Sequence, residues 1–204
     1  MNMKFSSTHV VALFALSLLL VASCSYTSSA VSNINNVPAI QSEATPKNQS
    51  PQTEVKSPLP PPTGFVNDYA NVINPESQAR LESVLTELRD KADIEFAVVT
   101  IETTGEEPIS DYSLAVARGW GIGPKDSSKG GGLLLVLAIK DRKWKIQVSR
   151  NLEKDLPDET LKELGDQSKD LYRQGKYAEG ITKYVKAVIE RLEEIRGVKL
   201  SDKP

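Results

Sequence analysis

The stretch of residues 130–149 constrains the fold of this chain more than any other. Residues 133–139 form an unbroken apolar run that is too short to span a membrane, and a strand that is apolar on both faces must be covered on both. After the polar turn 140–143, apolar and polar residues alternate up to Ser149, as in a half-solvated strand. So short a connection permits only an antiparallel hairpin. The sequence therefore predicts a central strand paired with an outer one.

The segments on either side of this hairpin supply further elements. Residues 94–101 are rich in β-branched and aromatic side chains and predict a second buried strand. Apolar residues at helical spacing predict four helices: one from Asn74 to about Ala92, one capped by Ser110 and stopped by the glycines at 119–123, one from Pro157 to Gly175, and one from Tyr177 to about Arg196. This order indicates an α/β fold, a three-layer sandwich in which a small mixed sheet carries helices on both faces.

The N-terminus has the pattern of an export signal. Lys4 precedes an apolar core at residues 10–21, and small residues lead to Cys24. Residues 21–24, Val-Ala-Ser-Cys, resemble the lipobox of bacterial lipoproteins, which implies that residues 1–23 are removed and that Cys24 is lipidated. We therefore expect a lipid-anchored protein of the cell envelope, on the periplasmic side or at the cell surface. The alternative is a plain secretory signal that leaves Cys24 as a free thiol.

The segment after Cys24 has the composition of a tether. Residues 25–62 are rich in Ser, Asn, Gln, Thr and Pro, are poor in aromatic residues, and end in a proline run. Such a disordered segment spans on the order of 35 Å as a coil. The proline run also has the composition of a recognition motif, but a spacer is the simpler interpretation. The predicted folded domain then covers residues 63–197, with a short tail at 198–204.

The composition excludes several functional classes. His9 is the only histidine and Cys24 the only cysteine, and both lie outside the predicted domain. A Ser-His-Asp triad, a thiol nucleophile and a zinc site are therefore excluded within that domain. The formal net charge is −2 and no basic stripe with interleaved aromatic residues is present, so nucleic acid is not an expected partner.

Several short motifs together resemble the TPM domain family, which includes thylakoid-lumen and bacterial envelope proteins. They occur in one order along the chain: Val-Asn-Asp-Tyr-Ala at 66–70, Trp-Gly-Ile-Gly at 120–123, the run 132–138 with Asp-Arg at 141–142, and Leu-Pro-Asp at 156–158. The resemblance implies a three-layer α/β fold with a cleft near the Asp68 segment and the glycine-rich loop. It also implies calcium binding in some members, and acid phosphatase activity in the thylakoid branch.

Carboxylates are the main candidates for chemistry in a domain without His or Cys. Asp68, Asp141 and Asp158 are our candidate metal ligands, and Asp126 flanks a loop that could meet them at one end of the sheet. Oxygen ligands suit a hard cation, Ca²⁺ or Mg²⁺. The structural alternative is that Asp141 shapes the hairpin turn, Asp158 interacts with a helix dipole and Asp126 is solvated. For Asp68 the two interpretations have equal weight.

The predicted cleft is lined by Trp120, Gly130, Gly131, Gly132 and Arg142. The glycines lead into a strand rather than a helix, so they do not form a phosphate loop, and we expect them to provide backbone clearance. Trp120 fits the core better than a ligand platform.

Three functions follow from these observations. The first is a membrane-anchored module that binds a divalent cation, an envelope protein or both. The second is a metal-assisted acid phosphatase in which Asp68 and Asp141 hold the ion and Arg142 contacts the phosphate. The third is a domain that contacts only other proteins.

Overall fold

A computed structural model describes residues 56–123 and 130–201. Cys24, Asp126, the predicted signal and most of the predicted tether lie outside the described residues. The elements in chain order are β1 (Val66–Asp68), α1 (Pro75–Ala92), β2 (Ile94–Ile101), α2 (Ile109–Trp120), β3 (Gly131–Ala138), β4 (Lys143–Val148), α3 (Asp158–Asp166), α4 (Lys169–Arg173) and α5 (Tyr177–Arg196). None of the helices in these two ranges is long and apolar enough to cross a bilayer.

The sheet confirms the predicted α/β architecture. Its four strands lie in the order β1-β2-β3-β4; β1, β2 and β3 are parallel, and β4 is antiparallel to β3. All eight residues of β3 are buried, as expected for a strand that is covered on both faces. The predicted hairpin between residues 133–139 and 144–149 is the β3–β4 pair.

Each face of the sheet has its own core. The register places Val66, Val98, Leu135 and Ile146 in one row, and these side chains belong to the larger core, which is completed by residues of α1, α3 and α5. Val99 and Val136 point to the other face and belong to a smaller core covered by α2. This alternation follows from the two-residue period of a strand.

The helix ends agree with the sequence at some positions and correct it at others. Asn74 caps α1, because its Oδ1 accepts from the Ser77 N–H at 2.9 Å. The prediction that Ser110 caps the next helix is wrong: α2 begins at Ile109 after Pro108, so Ser110 lies inside it. The single helix predicted up to Gly175 is two helices, α3 and α4, separated where the Ser168 N–H bonds to the Gly165 carbonyl.

The last residues of the predicted tether, 56–62, pack against α2. The Trp120 Nε1–H donates to the Pro60 carbonyl at 2.9 Å, and Leu59 packs against the smaller core. Gly119 permits this approach, since a Cβ at that position would lie 2.3 Å from the Ser57 nitrogen. These residues are thus part of the folded unit, although their composition resembles that of a disordered linker.

Candidate functional site

Only some of the predicted acidic residues lie at the same edge of the sheet. Because β1, β2 and β3 are parallel, their ends lie together at what we call the carboxyl edge. Asp68 ends β1 there, and Asp141 lies in the turn between β3 and β4. Asp158 follows the other end of β4 and therefore lies at the opposite edge. The structure brings two of the three predicted metal ligands to one edge and leaves the third apart.

The Asp68 carboxylate organises the loop between β1 and α1. Its Oδ1 accepts from the Val72 N–H at 3.1 Å, and its Oδ2 accepts from the Ile73 N–H at 2.8 Å. The Thr100 hydroxyl, on the neighbouring strand, also donates to Oδ1. Thr100 is fully buried, so Asp68 provides the acceptor that its hydroxyl needs.

Asp141 organises the loop between β2 and α2. Its Oδ2 accepts from the Thr104 N–H at 2.8 Å, and its Oδ1 accepts from the Thr103 hydroxyl at 2.8 Å. These two hydrogen bonds stabilise the charged form and hold the pKa of the Asp141 carboxyl below its usual range. Asp141 is only partly buried, which leaves room for further ligands.

The two carboxylates have limited capacity for a cation. In the hydrogen bonds of the described residues, Asp68 Oδ2 accepts one donor, so one lone pair remains. Asp141 Oδ1 likewise accepts one. Among residues 56–123 and 130–201, no three acidic side chains come together in an arrangement that would hold a metal ion. The residues present fit a water-rich, weak site for a hard cation and do not fit an enclosed one.

The residues predicted to share a cleft do not share one. Gly131 and Gly132 begin β3, at the edge opposite Asp68, because β1 and β3 are parallel and their starts and ends lie at opposite edges. A Cβ on Gly132 would lie 2.7 Å from the Ile122 carbonyl oxygen, and one on Gly131 would lie 2.4 Å from Leu152 Cγ. These glycines therefore serve close packing, as predicted, but away from the carboxyl edge. Gly130 directly precedes them.

Trp120 and Arg142 lie in two further places. Trp120 packs beneath the proline segment and against the smaller core. Arg142 lies at the carboxyl edge, where it lines a surface cleft of about 660 Å³. No acidic side chain lines that cleft among the described residues. We call it the Arg142 cleft.

The short motifs that occur in one order along the sequence all lie within the folded domain. The sequence profile of the TPM domain matches residues 66–191, which run from the start of β1 into α5. The chain belongs to the TPM domain family. No curated protein matches the chain.

Two solved structures are similar to this chain. The N-terminal domain of a protein from P. gingivalis, determined by solution NMR, is 33% identical to this chain with a TM-score of 0.59, and the match covers 65% of this chain and 83% of that one. The BA42 protein of the psychrophilic bacterium Bizionia argentinensis is 15% identical with a TM-score of 0.51, and the match covers 60% and 82%. At that identity the second likeness shows the fold alone.

Sequence reasoning missed most residues of the Arg142 cleft. They come from the β3–β4 turn and from the region around α4, which are close only in the folded chain. The basic residues of the turn, Arg142 and Lys143, were visible in the sequence, as was the basic character of residues 169–173. Because a continuous helix was predicted up to Gly175, the turn between α3 and α4 was not predicted, and this turn brings the residues around α4 to the edge of the sheet.

Proposed function

We propose that this chain is a lipid-anchored envelope protein whose TPM domain binds a divalent cation at the carboxyl edge of its sheet. The observation that supports this function best is the position of Asp68, at the end of β1, and of Asp141, in the β3–β4 turn, on either side of the end of β2. The Thr103 hydroxyl, which donates to Asp141, adds a neutral oxygen atom to the same edge.

Calcium fits this proposal better than a transition metal. The ligand atoms at the edge are carboxylate and hydroxyl oxygens, and Ca²⁺ accepts six to eight oxygen ligands, including water, in a flexible geometry (about 2.3–2.6 Å from the ion). Since only two carboxylates are available, we expect a dissociation constant of about 0.1–1 mM, typical of extracellular calcium sites. Mg²⁺, which demands a stricter geometry, should bind more weakly.

The anchor provides the cellular context of the proposal. Lipid on Cys24 would place the domain near a membrane, where it would also meet other envelope proteins. Replacing Cys24 with Ser should move the protein from the membrane fraction to the soluble fraction and abolish incorporation of labelled palmitate. Unchanged membrane association in Cys24→Ser would contradict the anchor without affecting the cation site.

Calcium binding is tested by thermal unfolding of the full-length protein with and without Ca²⁺. A ligand that binds only the folded state raises the melting temperature, and the shift grows with the logarithm of the ligand concentration once that exceeds the dissociation constant. We expect Ca²⁺ at several millimolar to stabilise the wild type, and Asp141→Asn to lose most of this shift. Asp158→Asn is the matched control, because it removes the same charge from the opposite edge, and it should keep the shift. Equal shifts in all three proteins would contradict a site at the carboxyl edge.

The phosphatase alternative requires an ion held by Asp68 and Asp141 and a phosphate contacted by Arg142. Arg142 is next to Asp141 in sequence, but the Asp141 carboxylate bonds to the β2–α2 loop, whereas Arg142 lines a cleft without acidic residues among those described. We therefore favour binding over catalysis. Hydrolysis of an aryl phosphate at mildly acidic pH that disappears in both Asp68→Asn and Arg142→Gln would reverse this preference.

A further inference from the structure

Several cationic and several aromatic side chains line the Arg142 cleft together. Four cations line it: Arg142 from the hairpin turn, Lys143 from the start of β4, and Lys169 and Arg173 from α4. Its volume of about 660 Å³ lies within the range of small-molecule sites, about 300–1,000 Å³. The floor is apolar, because Leu137 and Ile139 of the central strand region contribute to it.

The four cations differ in how far their charge is compensated. Lys169 Nζ lies 2.5 Å from Asp166 Oδ1, and Arg173 Nη1 lies 3.1 Å from Asp170 Oδ1. Arg142, in contrast, forms no ion pair or side-chain hydrogen bond with any described residue. Lys143 forms none either, although Asp141 is close enough to feel its charge. The hairpin side of the cleft therefore carries positive charge that is not held in an ion pair with any described residue.

The aromatic walls of the cleft are held in place by two glycines. The Trp144 indole lies against Gly165 of α3, where a Cβ would approach its Cη2 to 2.3 Å. Tyr172 lies against Gly180 of α5, where a Cβ would approach its Cε1 to 2.4 Å. Tyr172 also stacks on Tyr177, with ring centroids 6.3 Å apart and planes inclined by 22°. Rings fixed in this way form a wall that needs no reorganisation when a ligand binds.

The backbone of Arg142 gives an independent indication. Its φ is +51°, in the left-handed region that disfavours residues with a Cβ. A glycine or asparagine would shape this turn at lower cost. No contact in the described structure shows that the Arg142 side chain stabilises the fold. Residues in strained backbone conformations are concentrated at binding sites.

We propose that the Arg142 cleft binds a small ligand that carries an anionic oxygen group on a planar ring. The guanidinium of Arg142 would pair with the anionic group, since its planar donors match a carboxylate or a phosphate. The ring would lie against Trp144 and Tyr172, where stacking and apolar burial add to the charge interaction. This site is separate from the proposed cation site, because its lining includes neither Asp68 nor Asp141.

The proposal is tested with ligands that distinguish the contribution of the anionic group from that of the aromatic ring. The full-length protein is titrated with 1-naphthoate and 1-naphthyl phosphate, which carry both features, with acetate and inorganic phosphate, which carry only charge, and with 1-naphthylmethanol, which carries only the ring. Calorimetry gives the affinities, and the indole N–H resonance of Trp144 reports the place of binding. Trp120 is the only other tryptophan, so Trp120→Phe assigns that resonance.

We expect at least one ring anion to bind saturably and to shift the Trp144 resonance, with an affinity about tenfold above that of its charge-only and ring-only counterparts. The naphthoate and naphthyl phosphate titrations show which oxygen group is preferred. Arg142→Gln should weaken this binding about tenfold, which is the loss of one charge-assisted hydrogen-bonded pair. Arg173→Gln tests the opposite wall with an unchanged hairpin turn and should weaken binding as well.

Arg150→Gln is the matched control. Arg150 is exposed and lies beyond the other end of β4, so its loss changes the net charge equally without touching the cleft. Equal weakening by Arg150→Gln and Arg142→Gln would show non-specific attraction and overturn the proposal. Equal affinity for 1-naphthylmethanol and the ring anions would overturn it too, as would the absence of saturable binding by both anions.

Discussion

Two groups of charged residues lie at the carboxyl edge, and they differ in how far the fold provides them with partners. The acidic residues Asp68 and Asp141 accept hydrogen bonds from the loops that follow β1 and β2. The basic residues Arg142, in the adjoining turn, and Lys143, at the start of β4, line a cleft and form no ion pair with described residues. The groups are also close, since Asp68, Thr100, Leu137 and Trp144 occupy one row of the sheet. Asp68 and Leu137, which lines the cleft, are therefore roughly 10 Å apart between Cα atoms.

The acidic side chains are held by hydrogen bonds within the fold, whereas the basic side chains remain available to a ligand. An acid whose oxygens accept backbone N–H groups contributes to the fold, and any ligand must share it. A base without a partner contributes little to the fold, particularly in a strained turn. Substitutions should therefore cost stability on the acidic side and cost little, or even add stability, on the basic side.

The largest effect is expected for Asp68→Ala. This change leaves the Val72 and Ile73 N–H groups and the buried Thr100 hydroxyl without their acceptor. We expect the free energy of unfolding to fall by about 3 kcal/mol, measured by urea denaturation. Asp158→Ala is the control, because Asp158 begins α3 at the opposite edge of the sheet. This change should lower the free energy of unfolding by about 0.5 kcal/mol. Similar losses in the two variants would mean that Asp68 is not a structural acid.

The second effect concerns the wall of the cleft. Gly165→Ala places a Cβ within 2.5 Å of both Trp144 Cζ2 and Cη2. Overpacking should lower the free energy of unfolding by about 1–2 kcal/mol, even though alanine favours the helix by about 1 kcal/mol. The indole should also shift, which changes the Trp144 fluorescence. Gly180→Ala displaces Tyr172 and should leave that fluorescence unchanged, while a stability gain in Gly165→Ala would show that the indole is loosely held.

The third effect has the opposite sign. Arg142→Gly removes a side chain from a left-handed turn and should raise the free energy of unfolding by about 0.5–1 kcal/mol. Asn71→Gly is the control, because Asn71 has φ +54° but tolerates this region better, and its gain should be smaller. A loss of stability in Arg142→Gly would mean that the arginine supports the fold, and the contrast between the two groups would then fail.

The central strand and the order of elements were predictable from the sequence because they depend on local pattern. The apolar run of β3, the alternation of β4 and the stripe of α5 each specify one element and its buried face. The start of α1 was predictable for the same reason, since Asn74 and Pro75 act within one turn.

The candidate sites were less predictable because they depend on which ends of the elements meet. Asp158 and the glycines before β3 have the residue types of a site, but the parallel strand order places them at the edge opposite Asp68. The proline segment has a disordered composition, and only the fold reveals that Gly119 makes room for it. Glu82 gave no sequence signal, yet its carboxylate accepts from the Phe65 and Val66 N–H groups of the edge strand.

The smallest effect is a pH dependence at Asp141. The Thr104 N–H and then the Thr103 hydroxyl lower the pKa of this carboxyl in the folded state relative to its ordinary value of 3.8. A lowered folded pKa means that the stability gain is complete above the unfolded pKa and is lost as the pH falls through the folded pKa. The wild type should therefore lose its advantage over Asp141→Asn only below about pH 4. Thr103→Val removes one donor and should move the Asp141 midpoint, followed by carboxyl carbon NMR, back towards its ordinary value. A wild-type midpoint at or above 3.8 would mean that the Thr104 loop does not hold the charged carboxylate, and the acid would then be as available as Arg142.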